Sequence, residues 1–357
     1  MARFHTLKIK DIKRETADAV SVAFDVPAQI QHEFQFKQGQ YVTLKLTVNG
    51  EEIRRSYSLC SSPYGEREWR VAVKEVQDGR ASTFINRSLK VGDAMEVMTP
   101  MGSFHTVLSG NNKKHYVLFA GGSGVTPMMS IIKSVLYVEK QSNITLVYAN
   151  RDEDSTIFKT EIEKLTAEHA DKLTVYNVYD NPKGTVTDLQ KGLLSVDKVK
   201  TIVANLNIAS ADEYFICGPA PMMEAIKQGL ESLSIQKEKT HIEYFSAVVD
   251  AVAKAENATL GANVNSNVTV VQYGIETTMA LGTDGLSILD AAIEAGVDAP
   301  FSCKGAVCCT CRAKVLEGKV SMDANYALTE AEVEDGFVLT CQAHPLTEKV
   351  VIDFDAI

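Results

Sequence analysis

The sequence predicts a multidomain chain: an antiparallel β-barrel, then a doubly wound parallel α/β sheet, then a small α+β domain. Residues 1–106 hold short apolar or alternating runs rich in β-branched residues, split by turn residues. Residues 107–249 alternate apolar strands with helical stretches and twice pass through a glycine-rich turn. Residues 267–357 carry four cysteines whose spacing calls for a loop wrapped around a metal cluster. The length of 357 residues fits two or three domains at roughly 150 residues each, and 45% hydrophobic content is enough for ordinary packed cores.

In the first domain, Val20–Val26, Tyr41–Val48 and Trp69–Lys74 read as strands, and no long helical pattern interrupts them. Among them lies Arg54-Arg55-Ser56-Tyr57-Ser58. On a strand Arg55 and Tyr57 share a side. A guanidinium pairs bidentately with phosphate, a tyrosine ring stacks on a flat ring, and the Ser58 hydroxyl can hydrogen-bond a ring nitrogen. That set suits a flavin phosphate site; it also reads as an exposed strand with a chance Arg and Tyr. Gly79-Arg80-Ala81-Ser82 precedes a helix start, with Ser82 as candidate cap and the amides beyond it facing an anion, or it is an ordinary capped turn.

In the second domain the strand Tyr116–Ala120 runs into Gly121-Gly122-Ser123-Gly124-Val125-Thr126-Pro127 and then the apolar helix Met128–Val138. Strand, glycine turn and helix N-terminus together make a phosphate cradle. It is neither a G-x-G-x-x-G fingerprint nor a Walker loop. Strand Ile144–Tyr148, the turn Asn150-Arg151-Asp152, helix Phe158–Glu168 and strand Leu173–Tyr179 follow. Strand Glu213–Cys217 ends in Cys217-Gly218-Pro219-Ala220-Pro221, with a helix from Met222. On such sheets ligands sit beyond the carboxyl ends of the strands, where both glycine turns fall. Cys217 is either a small core residue or a neighbour of the bound ring.

Residues 250–266 are rich in Ala, Asn, Ser, Gly and Thr and read as a linker. Strands Val268–Tyr273 and Thr277–Leu281 come next, then helix Ser287–Ala295 with Ser287 as N-cap and Gly296 just past its end. Cys303, Cys308 and Cys311 then fall at C-x4-C-x2-C, with Cys341 far downstream. This is plant-type [2Fe–2S] spacing, and two bridged irons need four soft thiolates. A zinc site is the alternative, but zinc knuckles pair their ligands as two C-x2-C units and only one is present. Cys309 reads as a packed neighbour rather than a fifth ligand.

The net charge is −10. Residues 266–357 hold 5 Lys and Arg against 14 Asp and Glu, so nearly all the excess sits with the cysteine cluster. No basic face supports nucleic-acid binding. The acidic face suits a basic partner surface, or is merely solvated. Cys60, Cys217 and Cys309 form no disulfide framework, which fits a reducing, cytoplasmic compartment. Met1–Lys10 lacks a signal-peptide core, and the most apolar stretch, Tyr116–Val138, contains glycines, Pro127 and Lys133, so no membrane span is expected.

Taken together, Arg55-Ser56-Tyr57-Ser58, the Gly121–Pro127 turn and Cys217-Gly218-Pro219 resemble the ferredoxin–NADP reductase superfamily. The C-terminal part resembles a fused plant-type, β-grasp-like ferredoxin. Length, domain order, Val338–Ala343 and Val350–Asp355 are most similar to reductase subunits of the phenylacetyl-CoA epoxidase type. The resemblance implies that Arg55 holds the flavin pyrophosphate, Tyr57 covers the isoalloxazine and Ser58 sits near its reactive nitrogen. The backbone of Val73 and Lys74, with Gly79 and Ser82, would hold the rest of FAD; FMN is the alternative. Gly121, Gly122, Ser123, Gly124, Thr126 and Pro127 would cradle the nicotinamide cofactor's pyrophosphate. Cys217, Gly218 and Pro219 would line the nicotinamide, with Phe245 beside the flavin. Tyr57, Ser58 and Cys217 are thus the candidates at the reacting centre. Arg151 favours NADPH and Asp152 opposes it, leaving NADH open. The implied activity is an electron relay from NAD(P)H through FAD and a [2Fe–2S] cluster to an oxygenase, the phenylacetyl-CoA 1,2-epoxidase or another di-iron or Rieske oxygenase. A redox-sensing module without turnover would not need two nucleotide motifs.

Overall fold

The computed structural model describes residues 3–245 and 264–356. The chain divides into two compact units, Phe4–Phe245 and Ser246–Ile357. The linker expected at 250–266 lies outside the described residues up to 263, and its last two positions belong to a strand.

The first unit opens with β1 (Phe4–Thr16), β2 (Ala19–Asp25), β3 (Tyr41–Val48), β4 (Glu51–Ser58), β5 (Trp69–Lys74), helix α1 (Arg80–Arg87) and β6 (Ala94–Met98). The six strands form one antiparallel sheet in the order β4-β3-β6-β1-β2-β5. It curls until its two edges meet at the antiparallel bridge Leu59–Val71. Leu7, Ile9, Val20, Val22, Leu44, Val71 and Val97 fill the inside. Burying such a side chain contributes about 1.5–3 kcal/mol. The α1 start differs from the sequence expectation. Gly79 is the N-cap and the helix begins at Arg80, so Ser82 is inside its first turn. Its hydroxyl accepts from the Val76 N–H and donates to the Gly79 carbonyl, which ties down the preceding turn instead of capping amides further on.

The chain continues with β7 (His115–Gly121), α2 (Val125–Val138), β8 (Asn143–Asn150), α3 (Lys159–Glu168), β9 (Leu173–Tyr179), α4 (Val196–Asn205), β10 (Glu213–Cys217), α5 (Ala220–Ser232) and β11 (Thr240–Glu243). All five strands are parallel, in the order β11-β10-β7-β8-β9. One face packs on α2 and α3 through Met128, Ile132 and Ile162; the other packs on α4 and α5 through Val199, Ile202, Met223 and Ile226. The order reverses between β7 and β10, the switch point at which such sheets bind ligands. Ala19, Cys60, Ala72 and Phe104 of the curled sheet share a core with α2, so barrel and sheet are one body. Buried Ser130 donates to the Ser61 carbonyl at 2.7 Å, and Ser62 and Ser134 meet at 2.9 Å, which pins the two halves in one relative position.

The second unit holds β12 (Asn265–Gln272), β13 (Ile275–Gly282), α6 (Ile288–Glu294), β14 (Arg312–Glu317), β15 (Val320–Met322), α7 (Glu330–Glu334), β16 (Phe337–Leu339), β17 (Ala343–Pro345) and β18 (Lys349–Asp353). Five of these strands form a mixed sheet, β13-β12-β18-β14-β16, with β12 and β18 parallel. The β12–β13 hairpin turns on Tyr273 and Gly274, both at positive φ, as a two-residue hairpin requires. The Asp355 carboxylate accepts both their N–H groups. Ser287 caps α6 by accepting from the Asp290 N–H, and Gly296 at φ 85° follows its end.

Candidate functional site

At the switch point the ends of β4, β10 and β11 converge. Ser58, the last residue of β4, donates from Oγ to Glu243 Oε2 at 3.2 Å. Glu243, the last residue of β11, stands in register with Cys217, the last of β10. Enclosure by protein pushes the Glu243 carboxyl up to about 8, against the pull of the Ser58 hydrogen bond. Burial likewise pushes the Cys217 thiol well above its ordinary value, so it is a neutral group and not a nucleophile. Sequence reasoning finds Ser58 and Cys217 but misses Glu243, which holds a proton at neutral pH.

Tyr57 is half-buried beside them. Burial raises its phenol to about 12, and the Arg55 charge two residues away pulls the other way. Arg55 is exposed, with Nη1 donating to the Arg54 carbonyl. Val73 buries its side chain in the barrel core, and its carbonyl accepts from Asn86 Nδ2. Gly79 and Ser82 stay at the α1 turn, bonded to Val76 and to each other. Phe245 is 42% exposed, two residues beyond Glu243.

The two glycine turns touch. Gly124 lies against the Cys217 carbonyl, where a Cβ would overlap backbone, and Gly121 meets Pro219 and Met222. Gly122 sits at φ 51°, and its carbonyl accepts from the Tyr148 hydroxyl at 3.1 Å and from the Val125 N–H. The Ser123 carbonyl accepts from Thr126 Oγ1 at 3.0 Å. With these carbonyls tied inward, the first amides of the turn have no intrahelical acceptor and suit a phosphate. A backbone this close packed leaves no room for side chains where a dinucleotide must approach, so the residues fit the group. Lys74 Nζ lies beside Gly122 and 3.9 Å from Asp18 Oδ2. Arg151 joins the same carboxylate at 2.7 Å. Asp152 turns away: its carboxylate caps its own turn by accepting from the Ser155 N–H at 2.9 Å.

In the second unit the loop 303–311 has no regular structure, and Lys304 and Ala306 take left-handed φ of 50° and 62°. These two residues turn the backbone so that the Gly305 N–H points at Cys303 Sγ, 3.3 Å away. Cys303 and Cys308 sulfurs lie 3.1 Å apart. The β14–β16 pairing, Arg312 with Leu339, carries Cys341 to Cys311, and Thr340 fastens the pair through its N–H and Oγ1 to the Cys311 carbonyl. The neighbouring Cys341 thiol, together with burial, pushes the Cys311 thiol well above its ordinary value. Two thiol pairs are what a two-iron cluster needs, two ligands per iron. The Cys309 sulfur turns aside toward the Ala327 carbonyl at 3.3 Å. All seven cysteines are unbridged. Among the described residues no helix is long and apolar enough to cross a membrane.

Comparison with known proteins places three families along this chain. Residues 6–106 match the oxidoreductase FAD-binding domain, 118–228 the oxidoreductase NAD-binding domain and 271–346 the 2Fe-2S iron-sulfur cluster binding domain. The chain is 39% identical over 357 residues to one of the subunits of 1,2-phenylacetyl-CoA epoxidase from Escherichia coli K12, covering 100% of this chain and 99% of that one. It is 32% identical over 357 residues to the ferredoxin reductase component of 3-ketosteroid-9-alpha-monooxygenase from Mycobacterium tuberculosis strain CDC 1551, covering 98% and 95%. The solved structure of phthalate dioxygenase reductase shares the fold, with TM-score 0.58 at 23% identity over 98% of each chain.

Proposed function

The chain belongs to the family of oxygenase reductases in which FAD-binding, nicotinamide-binding and [2Fe–2S] domains follow one another, and on that premise we propose that it delivers electrons to a phenylacetyl-CoA epoxidase. It is an NAD(P)H-dependent oxidoreductase and an electron-transfer component. A bound flavin supplies the change from two-electron to one-electron chemistry, and a [2Fe–2S] cluster the one-electron exit.

The observation that carries the reading is the Ser58–Glu243 hydrogen bond, which ties the barrel to the sheet beside Cys217. Ser58 Oγ would orient a ring placed against Tyr57, and the protonated Glu243 would feed a proton relay by turning its O–H onto Ser58 Oγ, reversing the hydrogen bond between them. The neutral Cys217 thiol packs against the nicotinamide without competing as a nucleophile. Arg55 takes the flavin pyrophosphate and the Gly121–Pro127 turn the nicotinamide pyrophosphate. Cys303 and Cys308 would hold one iron, Cys311 and Cys341 the other. The unbridged cysteines suit the cytoplasm. Full-length identity of 39% supports the epoxidase as acceptor; the 32% match supports another monooxygenase as the second reading.

The donor we take is NADPH. Arg151 follows the end of β8 with its side chain 64% exposed and paired to Asp18, and Asp152, the group that would repel a 2′-phosphate, is offset by Lys183 Nζ at 3.6 Å and by the cap N–H it accepts. The test is cytochrome c reduction driven by NADPH or NADH, in the natural protein and in Arg151→Ala. The variant should lose about tenfold in kcat/KM for NADPH and keep that for NADH. Equal losses for both, or a natural preference for NADH, would sink the NADPH assignment. No turnover with either would sink the reductase reading. Coupled epoxidation with purified oxygenase subunits separates the two acceptors.

A further inference from the structure

We propose that Gln342 is a positioning residue that raises the reduction potential of the cluster, by donating from its side-chain amide to the Cys341 thiolate. This rests on the ligand set given above. Gln342 directly follows the fourth thiol, and its Nε2 lies 3.6 Å from Cys341 Sγ, 2.9 Å from the Cys341 carbonyl and 3.3 Å from the Lys304 carbonyl. The amide has two hydrogens for three acceptors, so the sulfur shares one of them with the Cys341 carbonyl, at the longer distance that its larger radius allows; the backbone donor to Cys303, Gly305 N–H, stands 3.3 Å off. The same amide therefore touches both segments that frame the cluster, 303–311 and 341.

The physical consequence follows from charge. Adding one electron to a cluster held by four thiolates adds one unit of negative charge, part of which falls on the ligand sulfurs. A hydrogen-bond donor at a sulfur stabilises the reduced form more than the oxidised one, and so raises the potential. At Cys303 the donor is backbone, which only a proline would remove. At Cys341 a side chain joins the Ala306 backbone N–H, so the sequence can adjust it. Lys304, whose carbonyl Gln342 also holds, is itself fixed by its ion pair to Asp290 at 2.6 Å and lies 4.7 Å from the Phe301 ring.

The experiment is a potentiometric titration of the purified full-length holoprotein, followed by the electron paramagnetic resonance signal of the reduced cluster. Gln342→Leu removes the donor; Gln342→Glu keeps the shape and replaces the donor with a charge. The expected result is an intact cluster in both, with the fraction reduced at a fixed poise lowered several-fold in Leu and further in Glu. A tenfold loss corresponds to about 59 mV for a one-electron couple. Intact clusters with unmoved potentials would overturn the proposal. So would failure of both variants to assemble a cluster, since Gln342 would then be a structural clamp between the two segments. A natural protein with no cluster signal would instead sink the ligand set itself.

Discussion

In the C-terminal unit, three of the four thiols that can hold iron lie within nine residues, and the backbone of one loop aims them. In the reductase unit, Ser58, Cys217 and Glu243 come from three strand ends, and the central hydrogen bond joins residues 185 apart in sequence. The first site needs a loop of set length and left-handed turns. The second needs the curled sheet and the parallel sheet to be locked together before any of its groups meet. A local site is sensitive to its ligands; an assembled site is sensitive to whatever holds its halves in register.

The largest effect should come from Cys341→Ser. It removes a ligand, so cluster absorbance and electron delivery to one-electron protein acceptors should be lost outright, while hydride uptake, read with an artificial two-electron acceptor, continues in the other unit. Simultaneous loss of both activities would mean that the two regions are not separable.

Next comes the pair of carboxylates in the reductase unit, whose shifts are opposite in sign. Glu243 is raised to about 8, so Glu243→Gln should slow flavin reduction about 100-fold and abolish any inflection near pH 8 in its rate. Because the folded protein holds this proton more tightly than the unfolded chain, Glu243 also lowers stability as pH rises from the ordinary carboxylate range through 8. Glu213 is held down to about 2 by His241, Lys114 and Thr106, against its own burial. Its contribution, on the order of 3 kcal/mol, is present above the usual carboxylate range and lost as pH falls through 2. Chemical denaturation against pH should show Glu213→Gln losing its penalty in acid and Glu243→Gln gaining stability in alkali. Parallel pH profiles for the two variants would contradict the assignment of both environments.

The smallest effect sharpens the nucleotide side. Tyr148 is fully buried and its hydroxyl holds the Gly122 carbonyl at 3.1 Å. Tyr148→Phe removes one of that carbonyl's two donors, leaving the Val125 N–H, so KM for the nicotinamide nucleotide should rise about fivefold with kcat little changed, the equivalent of one hydrogen bond. A fall in kcat with KM fixed would place Tyr148 at the chemistry instead of under the cradle.

Legibility in the sequence follows the same division. The cysteine spacing carries the cluster loop, because ligand number and spacing are local. The strands β3, β5 and β9 are readable with their ends because each is an uninterrupted apolar or alternating run. The long β1 is not, since charged residues alternate with Leu7 and Ile9 and two register shifts break its pairing. Helix α4 carries signals that are easily passed over: a Ser195 cap and Val199, Ile202 and Val203 on one face. Glu243 cannot be read at all. Nothing in Thr240–Glu243 marks a protonated acid; only the parallel pairing of β10 and β11 puts it at Cys217 and within reach of Ser58.

The most direct test is rapid anaerobic mixing of the intact protein with NADPH, following flavin and cluster absorbance separately. The account predicts that flavin bleaching comes first and cluster reduction follows, with the second phase absent in Cys341→Ser. A cluster phase without a preceding flavin phase, or a colourless protein carrying zinc, would contradict it.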